Sequence, residues 1–388
     1  MYTILNEENY YRKFYFLDSF HAQCVDVNPL SMEQFDRSVA QVKQIIQNPI
    51  FDKVDRIIGS GCGDSILVAA AIKGAFEHYL PQAEYEAVEA IELSRHYSYL
   101  PNMQNTLAIF ISVSGGIYRT IEAMRQCRRH GITTLAITDN PDSQTAAEAD
   151  ILYYTNSPAG DNNAGLRTYY CNIVSGMILA AAIAEKQTGT PHIAQLRQTV
   201  KDYHDAFFAN FEEMDDTCFA AAIHWMNKEY LEVVADGPLY WAGRFVQAKV
   251  VELSGDACVV VDSENFMHVN QLMGPPSAIG DMVLLNSDDG NVQSVVRAVN
   301  QMIQSGREVL LFSDICPQKL GIDGQVMYCH VEMPRGKWRF LAPLYAYLPA
   351  SMFAGFRHTT IGEPMFRGGM DPNIFVPTYF SPIEVPEI

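Results

Sequence analysis

The sequence predicts an α/β protein made of two tandem three-layer αβα domains, each around a parallel, flavodoxin-like sheet that is not dinucleotide-binding. Three observations carry that prediction. The stretch Ile109 to Asp139 reads as strand, Ser/Gly loop, helix, turn and strand. The stretch Val54 to Phe76 has the same grammar, and the whole order of elements begins again after residue 214 at one sequence offset. Alternating strands and helices with right-handed crossovers place each sheet between two layers of helix.

Taken in order, residues 1–30 are aromatic-rich, with YYRKFYF at Tyr10 to Phe16, and are expected to form a strap. Ser31 with Gln34 reads as a capping box for a helix to about Asn48. The first domain is expected to span 31–214. Its opening unit, VDRIIGSGCGDSILVAAAIKGAF, joins a strand to an apolar helix that Asp64 or Ser65 is placed to cap. The three glycines of GSGCG are unevenly spaced and no acidic residue closes a second strand at the required distance, which excludes a dinucleotide fingerprint. The run Thr106 to Val113 is apolar and β-branched, the pattern of a strand buried on both faces. After Ser114-Gly115-Gly116 the period becomes helical, with Ile117, Ile121 and Met124 on one side, until Gly131 ends the helix. A helix over Ala164 to Lys186 follows, broken by Thr188 to Pro191 before another that runs to about Met214.

The repeat is read by subtraction. Ser287 follows Ser112 by 175 positions (287 − 112), and the same offset relates Gly306 to Gly131, Asp314 to Asp139 and Asp236 to Gly61. EYLEVVADGP then matches VDRIIGSGCG, and DMVLLNSDDG matches LAIFISVSGG. A second domain over 215–361 and a tail over 362–388 complete the expected organisation.

The composition is globular, with 48% hydrophobic and 19% charged residues among 388. A formal net charge of -18 argues against nucleic acid or an anionic membrane as the main partner. Eight cysteines at irregular spacing, without a CxxC, and an N-terminus lacking a basic-then-apolar signal point to a reducing cytoplasm. No metal or cofactor is expected. The apolar stretch Ile173 to Ile183 is shorter than a bilayer span and reads as a core helix.

Chemistry concentrates in two places. Each Ser/Gly loop of the first domain sits at a strand's carboxyl end and opens into a helix, offering hydroxyls, unpaired N–H groups and a positive dipole end. Phosphate suits all three. In the second domain the corresponding loop reads Ser287-Asp288-Asp289-Gly290, whose carboxylates repel phosphate. Farther along, Gly237-Pro238 opens a helix on which Trp241, Phe245, Ala248, Lys249 and Glu252 share one face, while Val246, Val250 and Val251 make other faces apolar. Lys249 and Glu252 at that spacing form either an ordinary surface pair or a functional pair on a buried helix.

These loops, with the duplication, resemble the double sugar-isomerase (SIS) domain proteins over roughly residues 35 to 365. Among that family are the isomerase half of glucosamine-6-phosphate synthase, fructosamine-6-phosphate deglycases and glucosamine-6-phosphate deaminases. The resemblance implies that Ser65, Ser112 and Ser114 bind the substrate phosphate, with Val113 supplying backbone and Gly63 and Asp64 completing the first loop. Where the family often has a phosphate-binding threonine this chain has Ile117, and Arg119 or Thr120 is expected to replace it. The family's KxxE matches Lys249 and Glu252, and its site histidine, sixteen residues past the glutamate (268 − 252), matches His268. By resemblance Glu252 shuttles a proton between sugar carbons one and two, and His268 helps open the ring in the neighbouring subunit of a homodimer or larger homo-oligomer.

The chain departs from the family pattern after His268, where Val269-Asn270 replaces Gly-Pro. The last lysine is Lys337 and no glutaminase segment precedes the repeats, so neither Schiff-base chemistry from the tail nor glutamine-driven amination is expected. Two functions remain open: an isomerase, deaminase or deglycase acting on an amino- or keto-sugar 6-phosphate, and a non-catalytic sugar-phosphate sensor.

Overall fold

The computed structural model describes residues 13, 16–97, 103–158 and 164–367. Five strands, β1 (Arg56–Gly61), β2 (Glu84–Glu89), β3 (Thr106–Ile111), β4 (Thr133–Thr138) and β5 (Ile151–Tyr154), form a sheet in the order β2-β1-β3-β4-β5 with every pairing parallel. All six residues of β3 are buried, as an apolar β-branched run at the centre of a parallel sheet must be. One face carries Ile58, Ala108, Phe110 and Ala136 against Leu93, Ala123, Met124 and Cys127 of the helices Ala90–Arg95 and Tyr118–Arg129. The helices Asp64–Ala71, Lys73–Tyr79 and Arg167–Thr188 pack together on the other side.

The second sheet repeats the plan. Strands β6 (Tyr230–Ala235), β7 (Ala257–Val261), β8 (Ile279–Leu285), β9 (Glu308–Ser313) and β10 (Met327–His330) run parallel in the order β7-β6-β8-β9-β10. Val234, Val283, Leu285, Val309 and Leu311 pack with Phe266, Val295, Val299 and Met302 of the helices Ser263–His268 and Val292–Ser305. The helices Phe211–His224 and Pro238–Ser254 both pack on Leu348–Ile361 as a further layer. Two compact units result, one from residues 29–97, 103–158 and 167–199 and the other from residues 13, 16–28, 164–166 and 200–367.

The repeat offset changes along the chain. It is 175 for β4 and β9, which begin at Thr133 and Glu308, and for the left-handed glycines Gly131 and Gly306. It is 174 at the first strand (237 − 63), where Gly63 and Gly237 share nearly one conformation, φ 58 and ψ -130 against φ 54 and ψ -132. At the third strand it is 173 (280 − 107), because Leu107 pairs with Thr133 whereas Gly280 pairs with Glu308. By sheet register, therefore, Ser287 is the counterpart of Ser114, and Ser112 corresponds to Leu285.

Three further expectations change. The helix expected to start at Ser31 begins at Ser19 and runs through Pro29 to Ile45, with the His21 N–H donated to the Asp18 carboxylate at 2.9 Å. Gln34 is no cap: it is buried in mid-helix and donates to Ser38 Oγ and the Thr155 carbonyl. The core helix, Arg167–Thr188, is by length and composition able to cross a membrane, against the expectation of a stretch shorter than a bilayer span, but 89% of its apolar window is buried inside the protein, as a core helix requires. Most of the N-terminal aromatic stretch and of the tail lies outside the described residues.

Candidate active site

In an open parallel sheet the ligand crevice lies beyond the carboxyl ends of the strands, where the strand order reverses. In the first sheet that point falls between β1 and β3, so both Ser/Gly loops open there.

The first loop is short. Gly63 adopts φ 58 and ψ -130, a region open to glycine alone, and the helix Asp64–Ala71 starts without a side-chain cap. Gly61 is equally constrained, because a Cβ there lies 2.7 Å from that of Ser65 and 3.0 Å from the Ile111 carbonyl. Ser65 is half-buried in the first turn and Asp64 stands beside it. An ionised Asp64 has only acceptors, so what it can offer a phosphate is its backbone N–H.

The second loop shows how N–H groups are kept available. The Val113 carbonyl accepts from the Asp139 N–H and Thr138 Oγ1, the Ser114 carbonyl from Asn140 Nδ2, and the Gly115 carbonyl from the Thr145 N–H and Oγ1. Three consecutive acceptors are thus tied down. Among the described residues the N–H groups of Ser114 and Gly115 have no protein acceptor, and the helix Tyr118–Arg129 starts at Ile117 without a side-chain cap. Gly115, at φ 65, has no room for a side chain: an added Cβ falls 2.0 Å from Ser143 Oγ. Ser112 is 2% exposed and its Oγ has no partner, while Ser114 is exposed and its Oγ accepts from the Gly116 N–H at 3.3 Å. A buried hydroxyl left unsatisfied beside free amides is a costly arrangement unless a ligand completes it.

Thr120 is placed differently from the expectation. It is fully buried, with its Oγ1 3.7 Å from Cys62 Sγ, and so joins the two loops. Burial pushes the Cys62 thiol above its ordinary range. Arg119 is engaged by Glu122, which also pairs with Arg95.

In the second unit, the helix Pro238–Ser254 carries Lys249 with no exposure at all. Its ammonium lies 2.5 Å from Glu252 Oε2 and 4.8 Å from the centre of the Phe245 ring, which meets Tyr347 edge-on at 5.0 Å. A buried ammonium requires such an anion, and the ring face adds a cation–π attraction. The sequence expectation of a helix buried all round is corrected: Val251 is exposed, and Glu252 keeps one third of its side chain open. The desolvation penalty therefore falls on the lysine rather than on the glutamate.

His268 stands apart from this pair. It ends the helix Ser263–His268, is 68% exposed, and meets Glu264 at 2.9 Å. Its helix packs on β6 and the helix Val292–Ser305, and among the described residues no hydrogen bond or ion pair joins His268 to Glu252.

The second unit's own switch-point loop is occupied from within. Asp314, with no side-chain exposure, accepts the Ser287 N–H at 2.8 Å and the Ser287 hydroxyl at 2.7 Å, and pairs with Arg335. Asp288 accepts the Gly336 N–H, and Asp236 accepts from the Ser263 N–H and from Asn291. Burial holds the Asp289 carboxyl above the usual range, Arg339 opposes this, and Asp288, Asp236 and Asp314 reinforce it.

Together these features define a tandem α/β protein with a switch-point crevice lined by unengaged N–H groups and hydroxyls in its first unit and a buried lysine–glutamate pair in its second. The chain matches the SIS domain over residues 50–182. It is 23% identical over 321 residues to a glutamine–fructose-6-phosphate aminotransferase (isomerizing) of Brucella abortus, an alignment covering 80% of this chain and 50% of the relative. The chain thus spans about half the length of the curated relatives it matches. The C-terminal domain of glucosamine-fructose-6-phosphate aminotransferase from Francisella tularensis shares the fold, with a TM-score of 0.76 at 16% identity over 85% of this chain and 94% of that one. Glucosamine-6-phosphate deaminase from Thermotoga maritima does so with a TM-score of 0.67 at 15% identity, over 90% and 97%.

Proposed function

We propose that this protein is a cytoplasmic enzyme acting on an amino- or keto-sugar 6-phosphate, moving a proton between carbons one and two and, where the substrate carries nitrogen, releasing ammonia or an amine. The observation that carries the reading is the Lys249–Glu252 pair, in which a wholly buried ammonium is held against a carboxylate that remains one-third open. A carboxylate so placed abstracts a proton beside a carbonyl or imine, and the fixed cation stabilises the enolate or enamine charge that develops. The names of the similar proteins, an aminotransferase and a deaminase of sugar phosphates, support the substrate class. Ser65, Ser112, Ser114 and the N–H groups around them, from Gly63 and Asp64 to Val113 and Gly115, hold the phosphate in this reading.

Glu252→Gln keeps shape and hydrogen bonding but removes the base, so turnover should fall about 10²–10⁴-fold while substrate still binds. The measurement is deuterium uptake from solvent at carbons one and two of fructose 6-phosphate, glucosamine 6-phosphate and fructosamine 6-phosphates, alongside ammonia or amine release. Uptake that persists in Glu252→Gln assigns the proton transfer elsewhere. Binding without uptake by the unmodified protein makes it a sensor.

The exposure of His268 favours a homodimer or larger homo-oligomer in which this histidine completes a neighbour's site. Mixing Ser112→Ala and His268→Ala proteins, each impaired at sub-saturating substrate, should then restore part of the activity, and a protein that stays monomeric at assay concentration removes the idea.

A further inference from the structure

Beneath the segment that follows His268 lies a cluster of charge with no role in the chemistry above. Arg307, Glu232 and Asp281 have no side-chain exposure, and the guanidinium lies 2.7 Å from Glu232 and 3.2 Å from Asp281. Glu232 and Asp281 sit on β6 and β8, on the sheet face that carries Val234 and Val283. The guanidinium also lies 5.2 Å from the centre of the Phe266 ring, in the helix that ends at His268. Its second nitrogen donates to the Asn270 carbonyl at 2.6 Å and the Met273 carbonyl at 3.1 Å, and Asn270 Nδ2 donates to Glu232. The inner side of the segment is therefore fastened to the cluster. Its outer side presents His268 with Val269 and Leu272, which are 62% and 81% exposed.

Two carboxylates face one guanidinium, so electrical balance in this dry site needs one proton. Asp281 is its holder: burial and the neighbouring Glu232 push its carboxyl well above the usual range against the pull of Arg307, and its Oδ2 has no other partner. Glu232 lies nearer the guanidinium, at 2.7 Å, and fixes Arg307 in place.

We propose that Arg307, Glu232 and Asp281 form a positioning cluster that fixes the segment 268–273 from below and so sets the orientation of His268. The catalytic part of this inference rests on the reading of His268 as a site residue, whereas the anchoring part does not.

The test is amide hydrogen exchange, read by mass spectrometry on the full-length protein, with the β8 peptide as internal control. Glu232→Gln removes the charge against which Arg307 and Asn270 Nδ2 are held, leaving only the more distant Asp281, and should speed exchange at residues 269–273 about tenfold or more. Asn270→Ala removes one tie without burying a charge and should speed it about threefold with β8 unchanged, which keeps the test decisive if Glu232→Gln fails to fold. Asp281→Asn mimics the protonated acid and should leave exchange at 269–273 within about twofold of the unmodified protein.

With fructose 6-phosphate as probe, Glu232→Gln and Asn270→Ala should lower kcat for deuterium uptake in the same order as they loosen the segment, while leaving KM near its original value. Equal exchange in Asp281→Asn and Glu232→Gln, or a segment that no variant loosens, overturns the anchoring. A kcat unchanged in a loosened variant overturns the positioning of His268. If the unmodified protein takes up no deuterium with any sugar phosphate, the proposed function fails while the exchange data still decide the anchor.

Discussion

Asp139 and Asp314 occupy the same place after the fourth strand of their sheets, yet their carboxylates face different partners. Asp139 accepts from Thr155 Oγ1 at 3.0 Å and the Ser157 N–H at 2.7 Å, away from the serines of the loop beside it. Asp314 takes both the N–H and the hydroxyl of Ser287. The strand order and the conformations of Gly63 and Gly237 and of Gly131 and Gly306 are shared, so the fold alone does not decide whether a switch-point loop is open to an external anion. One carboxylate's choice of partner does. The same comparison changes the reason for expecting phosphate in the first unit alone: repulsion by Asp288 and Asp289 matters less than the fact that the Ser287 donors are already engaged.

The largest expected effect separates the two loops at their glycines. Gly115→Ala sets a Cβ on Ser143 at positive φ and should destabilise the protein by about 2–4 kcal/mol, whereas Gly290→Ala, in open space, should stay within about 0.5 kcal/mol. Comparable losses of chemical-denaturation stability in the two variants would break the comparison.

The serines should give a crossed pattern. Ser287→Ala strips the hydroxyl, one of several donors, from a buried carboxylate and is expected to lose about 1–3 kcal/mol of stability with no change in sugar-phosphate affinity. Ser112→Ala removes a hydroxyl that has no protein partner, so stability should hold while affinity drops about tenfold through a lost charge-assisted hydrogen bond. Calorimetric titration with fructose 6-phosphate and denaturant melts of both variants read the two axes separately.

The smallest effect is a pH dependence confined to the second loop. The Asp289 carboxyl is raised in the folded state, so its contribution to stability is full below the ordinary carboxylate range and is lost as pH rises through its raised value. Asp289→Asn should therefore gain on the unmodified protein across that window, by about 1 kcal/mol at most, and the gap should be flat above it. A difference in Tm between the two proteins that is constant from pH 4 upward would remove Asp289 from the account.

What is legible in the sequence follows from local physics. Apolar β-branched runs such as Thr106–Ile111 announce buried parallel strands, and Gly63, Gly131, Gly237 and Gly306 mark positive-φ turns that the fold requires. The true start of the helix through Pro29 is not legible, because a capping pattern at Ser31 says nothing about a stronger cap at Asp18. Counting positions finds the repeat but misaligns Ser112 with Ser287, since backbone pairing, unlike spacing, reveals the two extra residues that the second copy carries between its third and fourth strands. The partners of Asp139 and Asp314 are out of reach for a different reason. Both aspartates stand at the same repeat position, and only long-range contacts, from Thr155 and Ser157 in one case and Arg335 in the other, distinguish them.

The Asp314 carboxylate can finally be regarded as a ligand supplied by the chain itself. A group tethered a few bonds from its donors acts at an effective concentration in the millimolar range or above, without the translational loss that a free anion suffers on binding. Dissolved phosphate must outcompete that tethered anion to reach Ser287, whereas at Ser112 no protein group competes. Calorimetric titration with phosphate should therefore give one equivalent bound per chain, and the second unit behaves as a receptor already at saturation.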